Sequence, residues 1–346
     1  MSTPLVINGT TVPPGRRTTI DLPAGRLYTH APINIPVHVI RGRKDGPRLF
    51  VSAAIHGDEI NGVEIIRRLL GNSLLRRLRG TLMAVPVVNV HGFIDRTRYL
   101  PDRRDLNRSF PGSEKGSLAA RLAYLFMNEV VANSTHGIDL HTGAIHRSNL
   151  PQIRANLDDP ETRELALTFG TPMVLNSDLR DGSLRQAAAD AKVPILLYEA
   201  GEALRFEEPS VRAGVSGIIE VMRKLGMLPP STRRRKKTTE PVVARTSGWV
   251  RAPQSGILRS TTALGARVHR GSTLGTIADP FGVREERVEA PWSGVIIGRL
   301  NMPLAYEGDA LYHIARFEGP DEAEQVEASS NALSDWAGDD GEPPLV

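Results

Sequence analysis

The stretch Leu49-Phe50-Val51-Ser52-Ala53-Ala54-Ile55-His56-Gly57-Asp58-Glu59 decides the fold. Residues 49–55 are apolar apart from Ser52 and short enough for a buried strand, and over 59–70 the apolar residues change to helical spacing. A histidine therefore leaves the carboxyl end of a strand and a glutamate enters the next helix, so both can face one crevice. The spacing alone is weak evidence for a ligand pair, because His-x-x-Glu arises by chance and acidic residues at a helix start also favour its dipole.

Outward from this unit, further β-rich runs fall at 35–40, 81–88, 138–141, 152–156 and 194–199, with helical patterns at 117–131, 160–169, 184–191 and 209–225. Such alternation predicts an α/β fold with a largely parallel sheet. Ligands of these sheets bind beyond the carboxyl ends of the strands, where polar residues emerging from apolar runs converge. Gly137-Ile138-Asp139-Leu140-His141-Thr142-Gly143 places a second histidine at such an end, and Ile195-Leu196-Leu197-Tyr198-Glu199-Ala200-Gly201 places a glutamate at a third. Two histidines and one carboxylate leave a coordination position open, as hydrolytic zinc enzymes require.

The chain has 346 residues, enough for about two domains, and its 40% hydrophobic content allows a sizeable core. No apolar run reaches the ~18 residues that would cross a bilayer, and residues 1–15 show no targeting pattern, so a cytoplasmic protein without a membrane partner is expected. The absence of cysteine excludes disulfides, thiol nucleophiles and thiolate metal sites, leaving His, Asp and Glu to hold any metal. A net charge of +4 hides an asymmetry, because residues 318–346 carry nine acidic residues and no Lys or Arg. The arginines of the basic remainder are dispersed and no nucleic-acid motif accompanies them, so the expected partner is a small anionic substrate and not nucleic acid.

The run Arg233-Arg234-Arg235-Lys236-Lys237 lies among Pro, Ser and Thr, which predicts a linker over 229–241; a localisation or polyanion signal is the other reading. The linker separates an α/β domain over 1–228 from a β domain over 242–317, and an acidic tail over 318–346 is expected to lack structure. In the β domain, Ala252-Pro253-Gln254-Ser255-Gly256-Ile257-Leu258 returns 38 residues later as Ala290-Pro291-Trp292-Ser293-Gly294-Val295-Ile296, which predicts two similar β units packed face to face.

Between the two histidines lies Thr97-Arg98-Tyr99-Leu100-Pro101-Asp102-Arg103-Arg104-Asp105-Leu106-Asn107-Arg108-Ser109-Phe110-Pro111-Gly112. A surface loop would use the same residue types. An Asn-Arg pair also suits a carboxylate, through the planar fork of Arg108 and a further donor from Asn107, while Arg98 could meet a developing oxyanion.

These motifs together resemble the succinylglutamate desuccinylase/aspartoacylase family, which shares the zinc carboxypeptidase fold. The family's His-x-x-Glu and distant His fall on His56, Glu59 and His141, its Thr-Arg-Tyr and Asp-Leu-Asn-Arg elements on Arg98, Asn107 and Arg108, and its strand-end glutamate on Glu199. Asn89-Val90-His91-Gly92-Phe93 departs from the relatives, which usually have Asn-Pro before Gly-Phe. The resemblance implies one zinc ion per chain on His56, Glu59 and His141, and general-base catalysis by Glu199 with Arg98 at the oxyanion. It also implies a substrate carboxylate on Asn107 and Arg108. It further implies a barrel-sandwich hybrid for the β domain, bordering the site entrance; with no Lys after Lys237, a biotinyl- or lipoyl-carrier role is excluded.

Arg154 emerges from a strand and is either a second substrate-anion contact or a structural ion pair. Asp139, sharing a face with His141, is either a support for that ligand or a satisfied buried group. His146 could touch substrate or lie in a surface loop, and His30, His38, His136, His269 and His313 are expected to be ordinary. The expected activity is removal of an acyl group from a small N-acyl amino acid. A carboxypeptidase-like hydrolase of short peptides and a non-catalytic zinc-binding scaffold are the alternatives, and assembly into a homo-oligomer is left open.

Overall fold

A computed structural model describes residues 4–177, 181–231 and 241–316. The deciding stretch forms the strand Arg48–Ala53, buried at five of its six positions, followed by the helix Asn61–Gly71. That helix sets Ile65, Ile66 and Leu69 against the sheet and leaves arginines outside, the separation an amphipathic helix needs.

The main sheet is mixed. At its centre the strands Thr81–Val85, Arg48–Ala53, His136–Gly143 and Ile195–Glu202 run parallel. Antiparallel strands flank them, Pro32–Arg41 and Arg17–Arg26 on one side and Arg147–Ala155 on the other. Helices Asn61–Gly71, Pro160–Phe169 and Glu208–Lys224 bury their apolar stripes on one face, and Leu118–Glu129 with Leu184–Asp190 on the other. The parallel strands, covered on both sides, are buried along almost their whole length, and Arg48–Ala53 and Thr81–Val85 are largely apolar. All six β-rich runs and all five helical patterns are elements of this fold, while the strands Arg17–Arg26 and Met173–Asn176 and the short helix Val90–Asp95 carry patterns too weak to predict.

The β-rich region extends this same sheet. Its strand Gly294–Leu300 pairs antiparallel with Arg147–Ala155, then with Ala310–Arg316 and through it with Thr246–Arg251. A second sheet of four strands, from Gly256–Ser260 to Leu304–Ala305, faces these, and Leu258, Ile277, Ile296 and Ile314 share the core between them. The quasi-repeat marks equivalent strands, since Gly256 opens one sheet's strand and Gly294 the other's. The central basic run of the expected linker and the acidic tail lie outside the described residues.

Candidate active site

Three parallel strands end side by side, and each delivers one polar residue. Ala54, directly after the strand Arg48–Ala53, takes a left-handed φ of 50°, a conformation that costs energy in a residue with a Cβ and turns the chain toward His56. Gly57 passes so close to the Gly92 backbone that a Cβ would lie 1.9 Å from its carbonyl carbon, so the residue after His56 must be glycine. On the neighbouring strands Glu199 pairs in register with His141. Gly201, at φ 74°, turns the chain away just beyond Glu199.

His56, Glu59 and His141 converge, with one ligand atom from each within 4.8 Å of the others, and all three are at most 4% exposed. His56 Nδ1 lies 2.7 Å from Glu59 Oε1 and His141 Nδ1 lies 2.8 Å from Glu59 Oε2. The remaining ring nitrogens meet carboxylates, His56 Nε2 with Asp105 at 3.2 Å and His141 Nε2 with Asp139 at 2.7 Å. Burial alone would lower both imidazoles. Glu59 and Asp105 outweigh it at His56, and Asp139 and Glu59 at His141, so both are held above the ordinary histidine range. Burial would likewise raise Glu59, yet the two histidines pull it far below the usual carboxylate range.

The donor set fits a zinc ion. Each histidine is oriented by a carboxylate on one nitrogen and turns the other inward, as metal-ligating histidines do. Three N and O donors leave room for a further ligand.

Around this triad a cavity of about 560 Å³ is lined by Arg98, Asn107, Arg108, Arg154 and Glu199 as well as the three candidate ligands. Arg98 reaches Glu59 at 3.2 Å and Asp105 at 3.0 Å. Asn107 Oδ1 accepts the Leu184 N–H at 2.9 Å, which fixes the side chain, and Arg108 donates to the Asn107 carbonyl at 2.5 Å. Glu199 Oε2 accepts from Arg154 and from Asn149 Nδ2, both at 2.9 Å, while its Oε1 has no partner among the described residues. Arg154 is thus ion-paired inside the cavity, and its Nε is buried without a partner. His146 lies apart, in a separate hollow with Glu202 and Asn301.

The site also draws on residues that the sequence reading does not single out. Asp105 lies in the same Asp-Leu-Asn-Arg element as Asn107 and Arg108, but its contact with His56 spans 49 residues of chain. Trp249 and His313 come from the β-rich region, stacked with ring centroids 4.5 Å apart, and Arg147 sits over Trp249 at 5.3 Å. Both line the cavity, a position that the sequence around them does not announce.

Comparison with known proteins agrees with the geometry. The model of the succinylglutamate desuccinylase/aspartoacylase catalytic domain matches residues 45–225, which takes in every residue of the triad and Glu199. The family match defines a hydrolase, and the fold is the zinc-carboxypeptidase-like architecture. The chain belongs to the succinylglutamate desuccinylase/aspartoacylase family. It is similar to the N-alpha-acetyl-L-2,4-diaminobutyric acid deacetylase of Halomonas elongata, 27% identical over 297 residues that cover 82% of this chain and 86% of that one. Among solved structures, the product-bound ectoine utilization protein EutE (DoeB) of Ruegeria pomeroyi shares the fold with a TM-score of 0.78 at 21% identity, over 91% of this chain and 99% of that one. A succinylglutamate desuccinylase/aspartoacylase from Rhodobacter sphaeroides does so with a TM-score of 0.76 at 23% identity, over 86% and 94%.

Proposed function

We propose that the chain is a zinc-dependent amidohydrolase that removes an acyl group from a small anionic N-acyl amino acid, with one zinc ion per chain held by His56, Glu59 and His141. The observation that carries this reading is the position of Glu199, on the strand beside His141 and in the same cavity as the triad. Zinc bound among these donors would supply a Lewis acid for the scissile carbonyl.

The remaining work falls to side chains. Arg154 and Asn149 fix Glu199 through Oε2, which leaves Oε1 to take a proton from water and return it to the leaving amine. Arg98, held by Glu59 and Asp105, keeps further N–H groups for the oxygen on which charge develops. Asn107 has its oxygen committed to Leu184, so its amide nitrogen is the donor toward substrate, and Arg108 beside it offers a planar fork to a carboxylate. Arg154 serves chiefly to hold Glu199, and its charge adds to the cavity's attraction for an anion.

The similarity to a deacetylase of an N-acetyl amino acid supports a short acyl group on an amino-acid amine. The test is a hydrolysis screen of the zinc-loaded protein against N-acetyl, N-formyl and N-succinyl amino acids and short dipeptides. Amino-acid release from one N-acyl class, with dipeptides left intact, is expected. Turnover of dipeptides alone would make the protein a carboxypeptidase-like hydrolase, and no turnover at all would leave a zinc-binding scaffold.

A further inference from the structure

At the end of the sheet opposite the candidate site lies a second cavity, of about 1000 Å³. Gly42 and Arg43, just beyond the strand Pro32–Arg41, and Leu78 and Arg79, just before the strand Thr81–Val85, form its rim. Arg17, Arg43, Lys44, Arg76, Arg77 and Arg79 all line it, and among the described residues no Asp or Glu does. None of these six cations is ion-paired with a described residue. A concave surface of one sign focuses its field and attracts the opposite charge. Leu75, Leu78 and Leu228 add apolar surface among the cations, while no aromatic residue lines the cavity among the described residues, which argues against the stacking platform of a single-stranded nucleic-acid site.

We propose that this cleft receives the chain's own acidic C-terminal segment, residues 318–346. That segment carries nine acidic residues and no Lys or Arg, with Val326, Leu333 and Trp336 spaced among them to meet the apolar surface. It can reach. Arg316 pairs with Thr246, and Thr246 is 16 residues from Pro230 on the rim, a span of at most ~58 Å, whereas the 30 residues beyond Arg316 extend to roughly 100 Å. A tethered segment also binds at a high effective concentration, an advantage no free anion has. The substrate cavity holds arginines too, but Glu59 and Glu199 stand among them and already occupy Arg98 and Arg154. The cleft without carboxylates is the stronger attractor.

Zero-length carbodiimide coupling of the full chain tests this, since Lys44 is the one lysine lining the cleft among the described residues. At low salt, Lys44 should join to carboxylates of 318–346 on the order of tenfold more often than exposed Lys115 and Lys192 do, as a high local concentration requires. The preference should disappear at about 1 M salt, where the Debye length is ~3 Å. The double variant Arg76→Ser, Arg77→Ser, both exposed and off the substrate cavity, should cut the Lys44 product several-fold at unchanged Tm. Equal coupling to Lys115 and Lys192, coupling confined to Lys236 and Lys237, or no response to the double variant would each overturn the proposal. So would products that join isotopically light to heavy chains in a mixture, because they would place the segment on a second copy.

Discussion

Asp139 precedes His141 by two residues on one strand, and its carboxylate meets His141 Nε2 at 2.7 Å while accepting the Ser52 hydroxyl at 2.8 Å. With the Nε2 proton committed there, a neutral His141 turns the Nδ1 lone pair toward a Glu59 oxygen 2.8 Å away, so two acceptors face each other. A cation must lie between them, either a proton or a metal ion. Asp105 orients His56 in the same way.

Asp139→Asn removes the charge that orients His141 and nearly preserves shape. Zinc affinity should fall roughly 10- to 100-fold, the usual cost of losing a ligand's supporting partner. Chelator competition measures it, with His56→Ala and His141→Ala as reference variants that should lose stoichiometric zinc. Wild-type affinity in Asp139→Asn would reduce this aspartate to a packed polar group.

Glu199→Gln keeps an acceptor for Arg154 and Asn149 but cannot take a proton. The rate should drop by about 10² to 10⁴ with zinc content and Tm near wild type. Turnover close to normal would move the general base elsewhere in the cavity.

Arg108→Lys keeps the charge and loses the planar fork. KM should rise for substrates with a free carboxylate beside the scissile amide, with kcat less affected. Amidated analogues should already be poor for the wild type, and equal rates on acid and amide would remove Arg108 from the carboxylate site.

Glu64, on the helix after the site, is held down to about 2 from the ordinary 4.5, first by its hydrogen bond from Arg67, against partial burial, and then by Arg68. A depressed carboxylate stabilises the fold above its unfolded pKa and loses that contribution as pH falls from about 4.5 toward about 2. Arg67 is largely exposed, so the effect is small. The Tm gap between wild type and Glu64→Gln should be largest near neutrality and close as pH falls through this window. A gap that stays constant with pH would contradict the linkage.

The parallel core was legible because residues 49–55 and 138–141 are buried on both faces and, Ser52 and Asp139 apart, apolar until their carboxyl ends, where His56 and His141 stand out. The triad could be found by the same logic, since strand ends in one sheet are neighbours whatever their separation in sequence. Contacts across unrelated elements left no such pattern: Asp105 reaches His56 from a loop, and Asn149 reaches Glu199 from a flanking strand. The texture change near residue 229 marks where the helices stop, but hydrogen bonding continues from Ser148 and Asn149 to Arg299 and Gly298. Period and composition carry no trace of that pairing. Trp249 and His313 therefore arrive in the cavity unannounced by their own surroundings.

The most direct test of the whole account is amino-acid release from the preferred N-acyl substrate by chelator-stripped protein, followed as zinc is added back. Activity should be absent without metal and rise to a plateau at one zinc per chain in the wild type, and His141→Ala should stay inactive at the same zinc concentration. Full activity in the stripped protein, or a plateau reached equally by His141→Ala, would contradict a metal centre built from His56, Glu59 and His141.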